Sequence, residues 1–199
     1  MIIRSFLGMN RRIFVLACNA LAVAVCISGG CGVMSPPADS TTDGGGTQFS
    51  GTACNASYLD GVFDYGFDLP ANVEMIRSEN DLDALTNSLW TVTFDGALIN
   101  ITTSVHDENS SATLAELVQS ASDDVLFAGG DLLLEESVTL ADGGEAYHTI
   151  VSLDGLTTSR VQTLVNDRLY SVEVIVATDS RSDAIDALAS DTVLSLCAD

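Results

Sequence analysis

Cysteine is the residue type in this chain that is best suited to covalent chemistry. The five cysteines form two groups along the sequence. Cys18, Cys26 and Cys31 lie in or just after an apolar run near the start, whereas Cys54 and Cys197 stand near the two ends of the remaining sequence. A thiolate can act as a nucleophile or bind a metal, and two thiols can form a disulfide. Which chemistry applies depends on the compartment, and the segment before Cys31 indicates that compartment.

The first 30 residues have the three-part layout of an export signal. Arg4, Arg11 and Arg12 make the start basic, Ile13–Ser28 is almost entirely apolar, and small residues follow. The apolar run is short for a bilayer span, which needs about 20 residues. The layout therefore predicts a signal peptide over residues 1–30. A plain signal peptide cut nearby and a retained membrane anchor are the alternatives.

Cys31 follows Gly29 and Gly30 directly at the end of this segment. This arrangement resembles the lipobox of bacterial lipoproteins. The resemblance implies that Cys31 is lipidated and becomes the first residue of the mature chain, anchored through acyl chains that contribute about 0.8 kcal/mol per buried methylene. The residue after Cys31 is Gly32 and not Asp. In bacterial lipoproteins, a residue other than Asp at this position resembles the default sorting signal, which implies the outer membrane, facing the periplasm. Secretion and an inner-membrane anchor are the alternatives.

Composition divides the chain after Cys31 into two parts. Residues 31–50 are rich in Gly, Ser, Thr and Pro and predict a flexible tether that spans roughly 25 Å as a random coil. Residues 51–199 have the length of a single domain. In an oxidising envelope, Cys54 and Cys197 are expected to form a disulfide across this domain. Two buried free thiols are the alternative.

The net charge of the chain limits the classes of partner that it can bind. All 28 acidic residues follow Cys31 and face only four arginines, which gives residues 31–199 a net charge of about −24. Such a surface repels nucleic-acid phosphates, so we expect no nucleic-acid partner. It would suit cations or basic partners, although a solvated acidic surface is the simpler interpretation.

Histidines and paired acids are the remaining candidates for chemistry. His106 and His148 are far apart in sequence, and a zinc site needs three or four ligands. His148 is expected on the solvated side of its strand. The pairs Asp123-Asp124 and Glu135-Glu136 carry the oxygen ligands that calcium prefers, but no EF-hand spacing is present. No catalytic, cofactor-binding or metal-binding residue is therefore predicted, and calcium stays an open alternative.

Alternating apolar and polar residues predict a mostly antiparallel sheet with helices packed on it, an α+β fold. Strands are predicted in residues 62–69, 73–78, 89–94, 97–105, 131–140, 145–153, 157–165 and 168–177, a short helix in 81–88, and longer helices from Leu114 and from near Ser180. Thr113 and Glu116 have capping-box spacing, and so do Ser180 and Asp183. Trp90 and Phe94 are expected in the core.

The stretches "DYGFDLPANVEM" and "EESVTLADGGEAYHTIVSLDGLTTSRVQTLVNDRLYSVEVIVA" resemble PsbP-like domains of the Mog–PsbP superfamily over most of residues 62–196. The resemblance implies an α/β/α sandwich with an accessory or binding role, and it supplies no catalytic signature. The expected function is therefore that of a lipid-anchored, non-enzymatic envelope protein, with the membrane and an envelope protein as partners. The alternative is a calcium-dependent binding module or an unusual hydrolase with an acidic site.

Overall fold

The computed structural model describes residue 54 and residues 56–79, 86–108 and 111–198, without the side chains of residues 75–79 and 86–87. The predicted signal peptide, Cys31 and the predicted tether lie outside these residues. The strands are β1 (Tyr58–Asp60), β2 (Tyr65–Phe67), β3 (Glu74–Glu79), β4 (Thr86–Phe94), β5 (Ala97–Asp107), β6 (Asp131–Thr139), β7 (Glu145–Leu153), β8 (Leu156–Val165), β9 (Arg168–Ala177) and β10 (Cys197–Ala198). The α-helices are α1 (Leu114–Phe127) and α2 (Asp183–Leu194), and a 3₁₀ turn, Thr178–Ser180, precedes α2.

Seven strands form one antiparallel sheet in the order β3-β4-β5-β9-β8-β7-β6. The predicted antiparallel α+β fold is therefore confirmed. β9 is the central strand, as its apolar residues on both faces indicate. A second antiparallel sheet, in the order β1-β2-β10, joins the two ends of the domain.

The large sheet is covered on both faces. One face packs against α2 and the small sheet and holds the main core, in which Ile99, Ile101 and Val174 are at most 1% exposed. The other face packs against α1, where Ser122 donates a hydrogen bond to Glu135 of β6 at 2.6 Å. The result is a layered α/β/α arrangement.

Tight turns connect the long strands, because residues with positive φ stand where two-residue hairpin loops need them. Asp95 and Gly96 join β4 to β5 with φ of 49° and 78°, and Asp154 with Gly155 joins β7 to β8 in the same way. The hairpin predicted from the Asp95-Gly96 pair is confirmed.

The helix boundaries follow their caps. Thr113 and Glu116 form the predicted capping box at the start of α1. The start of α2 was predicted too early: the N-cap is Ser182, whose hydroxyl accepts a hydrogen bond from the backbone N–H of Ile185. The earlier Ser180 belongs to the 3₁₀ turn instead.

Two core predictions have different outcomes. Trp90 is buried as predicted, with its ring 5.0 Å from that of Tyr58 and 5.4 Å from that of Phe67, measured between centroids. Phe94 is 37% exposed, because it is the last residue of β4 before the hairpin turn. The predicted short helix is wrong for residues 86–88, which begin β4, and its other residues lie outside the described part.

Candidate functional site

His148 lies in the core rather than on a solvated strand face, and only 3% of it is exposed. The prediction was wrong because β7 pairs with strands on both sides and both faces of the sheet are covered. The register places His148 opposite Glu136 of β6 and Val161 of β8. Its neighbours on the same face therefore come from two different strands.

The His148 ring contacts a hydroxyl on one side and approaches a carboxylate on the other. Its Nε2 lies 3.0 Å from Oγ of Ser159, and its Nδ1 lies 3.4 Å from Oε1 of Glu136. The Nε2 contact is a hydrogen bond, whereas the Nδ1 contact is an ion-pair distance without hydrogen-bond geometry. Half of the Glu136 side chain is exposed, so the cluster reaches from the core to the surface at β6.

Burial lowers the pKa of His148 below its ordinary value, and the nearby Glu136 carboxylate opposes this effect only in part. The ring is therefore neutral near pH 7, which leaves one nitrogen as an acceptor. A neutral histidine between a serine hydroxyl and a carboxylate has the residue types and order of an acyl-transfer triad.

The surroundings of Ser159 do not suit acyl transfer. Ser159 is 4% exposed, and it borders a cavity of about 20 Å³ between β8 and α2. That volume suits one water molecule, whereas ligand pockets usually measure about 300–1,000 Å³. The cluster therefore acts first as a buried polar contact among β6, β7 and β8, in which the hydrogen bond to Ser159 satisfies Nε2 of His148.

The other candidate ligands do not converge on His148. His106 lies on β5 opposite Leu169, on the sheet face that packs against α1, whereas His148 lies on the α2 face. Glu135 and Glu136 also point to opposite faces, since the first accepts from Ser122 of α1 and the second approaches His148. Within the residues that the structure describes, no three potential metal ligands form a group.

Two further carboxylates predicted as calcium candidates lie on α1. Asp123 accepts a hydrogen bond from the side-chain amide of Gln119 at 2.9 Å, one helical turn earlier. The backbone carbonyl of Asp124 accepts the N–H of Ala128, which closes the helix. Both residues therefore have local helical roles.

The structure also shows a buried ion pair that the sequence pattern did not single out. Nε of Arg160 on β8 lies 2.7 Å from Oε1 of Glu173 on β9, and the two side chains are 8% and 19% exposed. These residues are direct cross-strand neighbours on the α1 face. The strand pattern gave the face of each residue, but only the β8–β9 register could pair them.

Cys54 and Cys197 lie at disulfide distance, with their Cα atoms 5.8 Å apart. Cys197 begins β10, which pairs with one side of β2, and Cys54 precedes β1, which pairs with the other side of β2. This pair connects the beginning and the end of the domain. Cys31, the predicted lipidation site, lies outside the described residues.

Comparison with solved structures identifies the architecture. The solution structure of cyanobacterial PsbP (CyanoP) from Synechocystis sp. PCC 6803 matches with a TM-score of 0.55 and 15% sequence identity, over 71% of this chain and 91% of that chain. The domain has a PsbP-like fold. No family model matches the sequence, and no curated protein matches it either.

The PsbP-like domain offers no membrane-spanning element among its described helices, since neither is both long and apolar enough to cross a bilayer. Its likeness to PsbP at 15% identity concerns the fold. A function for this chain must therefore be argued from its own residues.

Proposed function

We propose that this chain is a lipid-anchored, non-enzymatic protein of the cell envelope whose PsbP-like domain has a binding or assembly role. The lipid on Cys31 would hold it to the outer membrane, facing the periplasm, and residues 31–50 would keep the domain away from the bilayer. The acidic domain would be repelled by anionic lipid, which is consistent with such a distance. Another envelope protein would be its partner.

The burial of His148 and Ser159 is the observation that carries the non-enzymatic part of this proposal. Ser159 has no room for an acyl substrate beside it, because the neighbouring cavity holds about one water molecule. The residue also pairs with Ile150 on one side and Val174 on the other, within a continuous antiparallel ladder. Backbone N–H groups in such a ladder are used by neighbouring strands rather than free to stabilise an oxyanion.

An unusual hydrolase is the second candidate, and the same cluster is the observation that favours it. Hydrolysis would require α2 to move away from β8 so that Ser159 Oγ meets a substrate. The ion pair between Arg181 and Asp186, with Nη2 2.7 Å from Oδ2, stands at the rim of the cavity and would have to shift. Turnover of an activated ester that is abolished in Ser159→Ala would establish this candidate.

Co-purification tests the binding role directly. The full chain would be produced in its envelope, extracted with detergent and compared with a Cys31→Ala variant, and bound proteins would be identified by mass spectrometry. We expect a defined partner to enrich with the wild-type chain and the variant to leave the membrane fraction.

A calcium titration of the purified protein tests the alternative, a calcium-dependent module. If no partner enriches and calcium raises the melting temperature in a dose-dependent way, the calcium-dependent module replaces the present proposal.

A further inference from the structure

One edge of the large sheet combines an open strand with exposed apolar side chains. Among the described residues the sheet ends at β6, whose outer side pairs with no other strand. Leu126 and Phe127 at the end of α1 are 48% and 87% exposed, and Leu133 on β6 is 50% exposed. These three residues and the outer edge of β6 are called the β6 surface below.

A compact turn joins α1 to β6, so that Leu126 and Phe127 precede the strand by only a few residues. The N–H groups of Gly129 and Gly130 donate to the carbonyls of Leu126 and Val125, at 3.1 and 3.0 Å, so the chain reverses directly after α1. Leu133 then stands at a β-bulge, because the pairing with β7 shifts between Leu132 and Leu134. The residues that follow the bulge, 134–139, pair with β7 in regular register as a continuous antiparallel strand.

The charge around the β6 surface has one sign. The sequence contains no Lys or Arg between Arg77 and Arg160, so α1 and β6 are entirely free of cationic side chains. Asp131, Glu135 and Glu136 lie on the strand itself. Two copies of this chain paired edge to edge would bring these carboxylates close to one another, and like charges across a strand pair are destabilising. A basic partner would avoid this repulsion and gain favourable cross-strand charge pairs.

We propose that the β6 surface binds an extended basic segment of a partner protein, which adds to the sheet as a strand beside β6. The backbone of the segment would pair with the outer edge of β6, its lysines or arginines would face the acidic residues, and its apolar residues would cover Phe127 and Leu133. Main-chain hydrogen bonds supply affinity in this mode of recognition, and side chains supply specificity. The inference rests on the proposed binding role and names the class of partner.

Synthetic peptides test this inference with the full-length protein in detergent. The probe is a nine-residue capped peptide in which lysine alternates with valine and threonine. Its control keeps every lysine but has proline in place of valine and threonine, so that it has the same charge and cannot form a strand. We expect the probe to bind at least tenfold more tightly than the control and to shift the backbone amide resonances of β6.

A matched pair of variants assigns the binding to the β6 surface. Phe127→Ser with Leu133→Ser is expected to weaken probe binding at least fivefold. Val62→Ser, at a residue that is 77% exposed before β2, is the control and should leave binding unchanged. The inference would be overturned if neither peptide binds or if both bind equally. It would also be overturned if the resonance shifts spread over the whole acidic surface, or if the protein associates with itself through β6. Loss of the lipid anchor with probe binding retained would refute only the membrane part of the proposed function.

Discussion

His148 shows that the residue types of a catalytic triad can serve the core of a fold. The imidazole lies between Ser159 and Glu136, in the order that acyl transfer uses, yet it is 3% exposed, and the cavity beside Ser159 is only the size of one water. Catalysis requires access to the nucleophile and donors for the developing oxyanion, in addition to the three side chains. Without them, the contact with Ser159 satisfies one buried ring nitrogen, and the cluster connects side chains of three strands.

The buried imidazole makes stability depend on pH. Because its pKa is lowered in the folded state, the unfolded chain binds a proton more readily at mildly acidic pH. Its contribution is complete above the unfolded pKa of about 6.5 and is lost as the pH falls toward the folded pKa. We expect urea unfolding of the wild type to show a steeper loss of stability between pH 7 and pH 5 than unfolding of His148→Gln. Parallel pH profiles for the two proteins would contradict this assignment.

The Arg160–Glu173 pair gives a second prediction at this scale. Glu173→Gln would leave the guanidinium buried with its charge uncompensated, which costs about 3 kcal/mol in comparable pairs. The matched control is Asp186→Asn, which breaks the more exposed pair with Arg181 and should cost less than about 1 kcal/mol. Chemical denaturation measures both variants. Equal losses would show that Arg160 is more hydrated than its burial indicates.

Sequence reasoning succeeded for single residues where local pattern decides their environment, and it failed where register decides. Trp90 alternates with polar residues and is buried as predicted. His148 occupies the polar positions of its strand pattern, so the pattern placed it in solvent. Its burial depends on Ser159 and Glu136, which are 11 and 12 residues away and meet it only through strand pairing.

At the scale of elements, caps and turns define the boundaries that the sequence predicts best. The α1 capping box involves residues three apart, so its signal is complete within four residues. The start of α2 was misplaced because Ser180 and Ser182 both offer a hydroxyl, and only the 3₁₀ turn over Thr178–Ser180 excludes the first. Strand order could not be obtained in this way, because β5 pairs with β9 across more than 60 residues of sequence.

The α1 cap can be tested separately. Thr113→Ala removes the hydroxyl that accepts the N–H of Glu116 and is expected to cost about 1 kcal/mol in the free energy of unfolding. Glu116→Gln is the control, because glutamine can still accept from the backbone N–H of Thr113. A loss in the control as large as that in Thr113→Ala would contradict the cap as the source of stability.

The β4–β5 hairpin supplies a test of backbone conformation. A Cβ at Gly96 would meet no atom within 4 Å, but its φ of 78° is unfavourable for an L-residue with a side chain. Gly96→Ala is therefore expected to destabilise the domain by about 1 kcal/mol through conformation alone. Gly61→Ala, where a Cβ also meets nothing within 4 Å and no positive φ occurs, should be nearly neutral. A neutral Gly96→Ala would show that the turn relaxes readily.

At the scale of the molecule, Cys54 and Cys197 connect the ends of the domain. A bridge between residues 143 positions apart restricts the unfolded chain strongly, and the chain-entropy relation gives about 5 kcal/mol as an upper value. The double variant Cys54→Ser with Cys197→Ser should therefore lose several kcal/mol, up to about 5, in denaturation. Reduction of the wild type should have the same effect. An unchanged midpoint in the double variant would favour two free thiols.

The fold of the whole molecule could be predicted from the sequence, but its function does not follow from the fold. The sequence pattern predicted the antiparallel α+β sandwich, because the alternation in β7 to β9 and their short turns allow few other arrangements. The PsbP-like fold follows from this arrangement and from the comparison with cyanobacterial PsbP. The proposed attachment to the membrane would depend instead on Cys31, 23 residues before Cys54.

Intact-mass spectrometry of the chain recovered from its own cell envelope tests the central claim most directly. The account predicts a polypeptide that begins at Cys31, carries acyl chains on that residue and is found in the detergent-solubilised membrane fraction. A chain that retains Met1, or one that begins near residue 31 without lipid and is found in the soluble fraction, would contradict it.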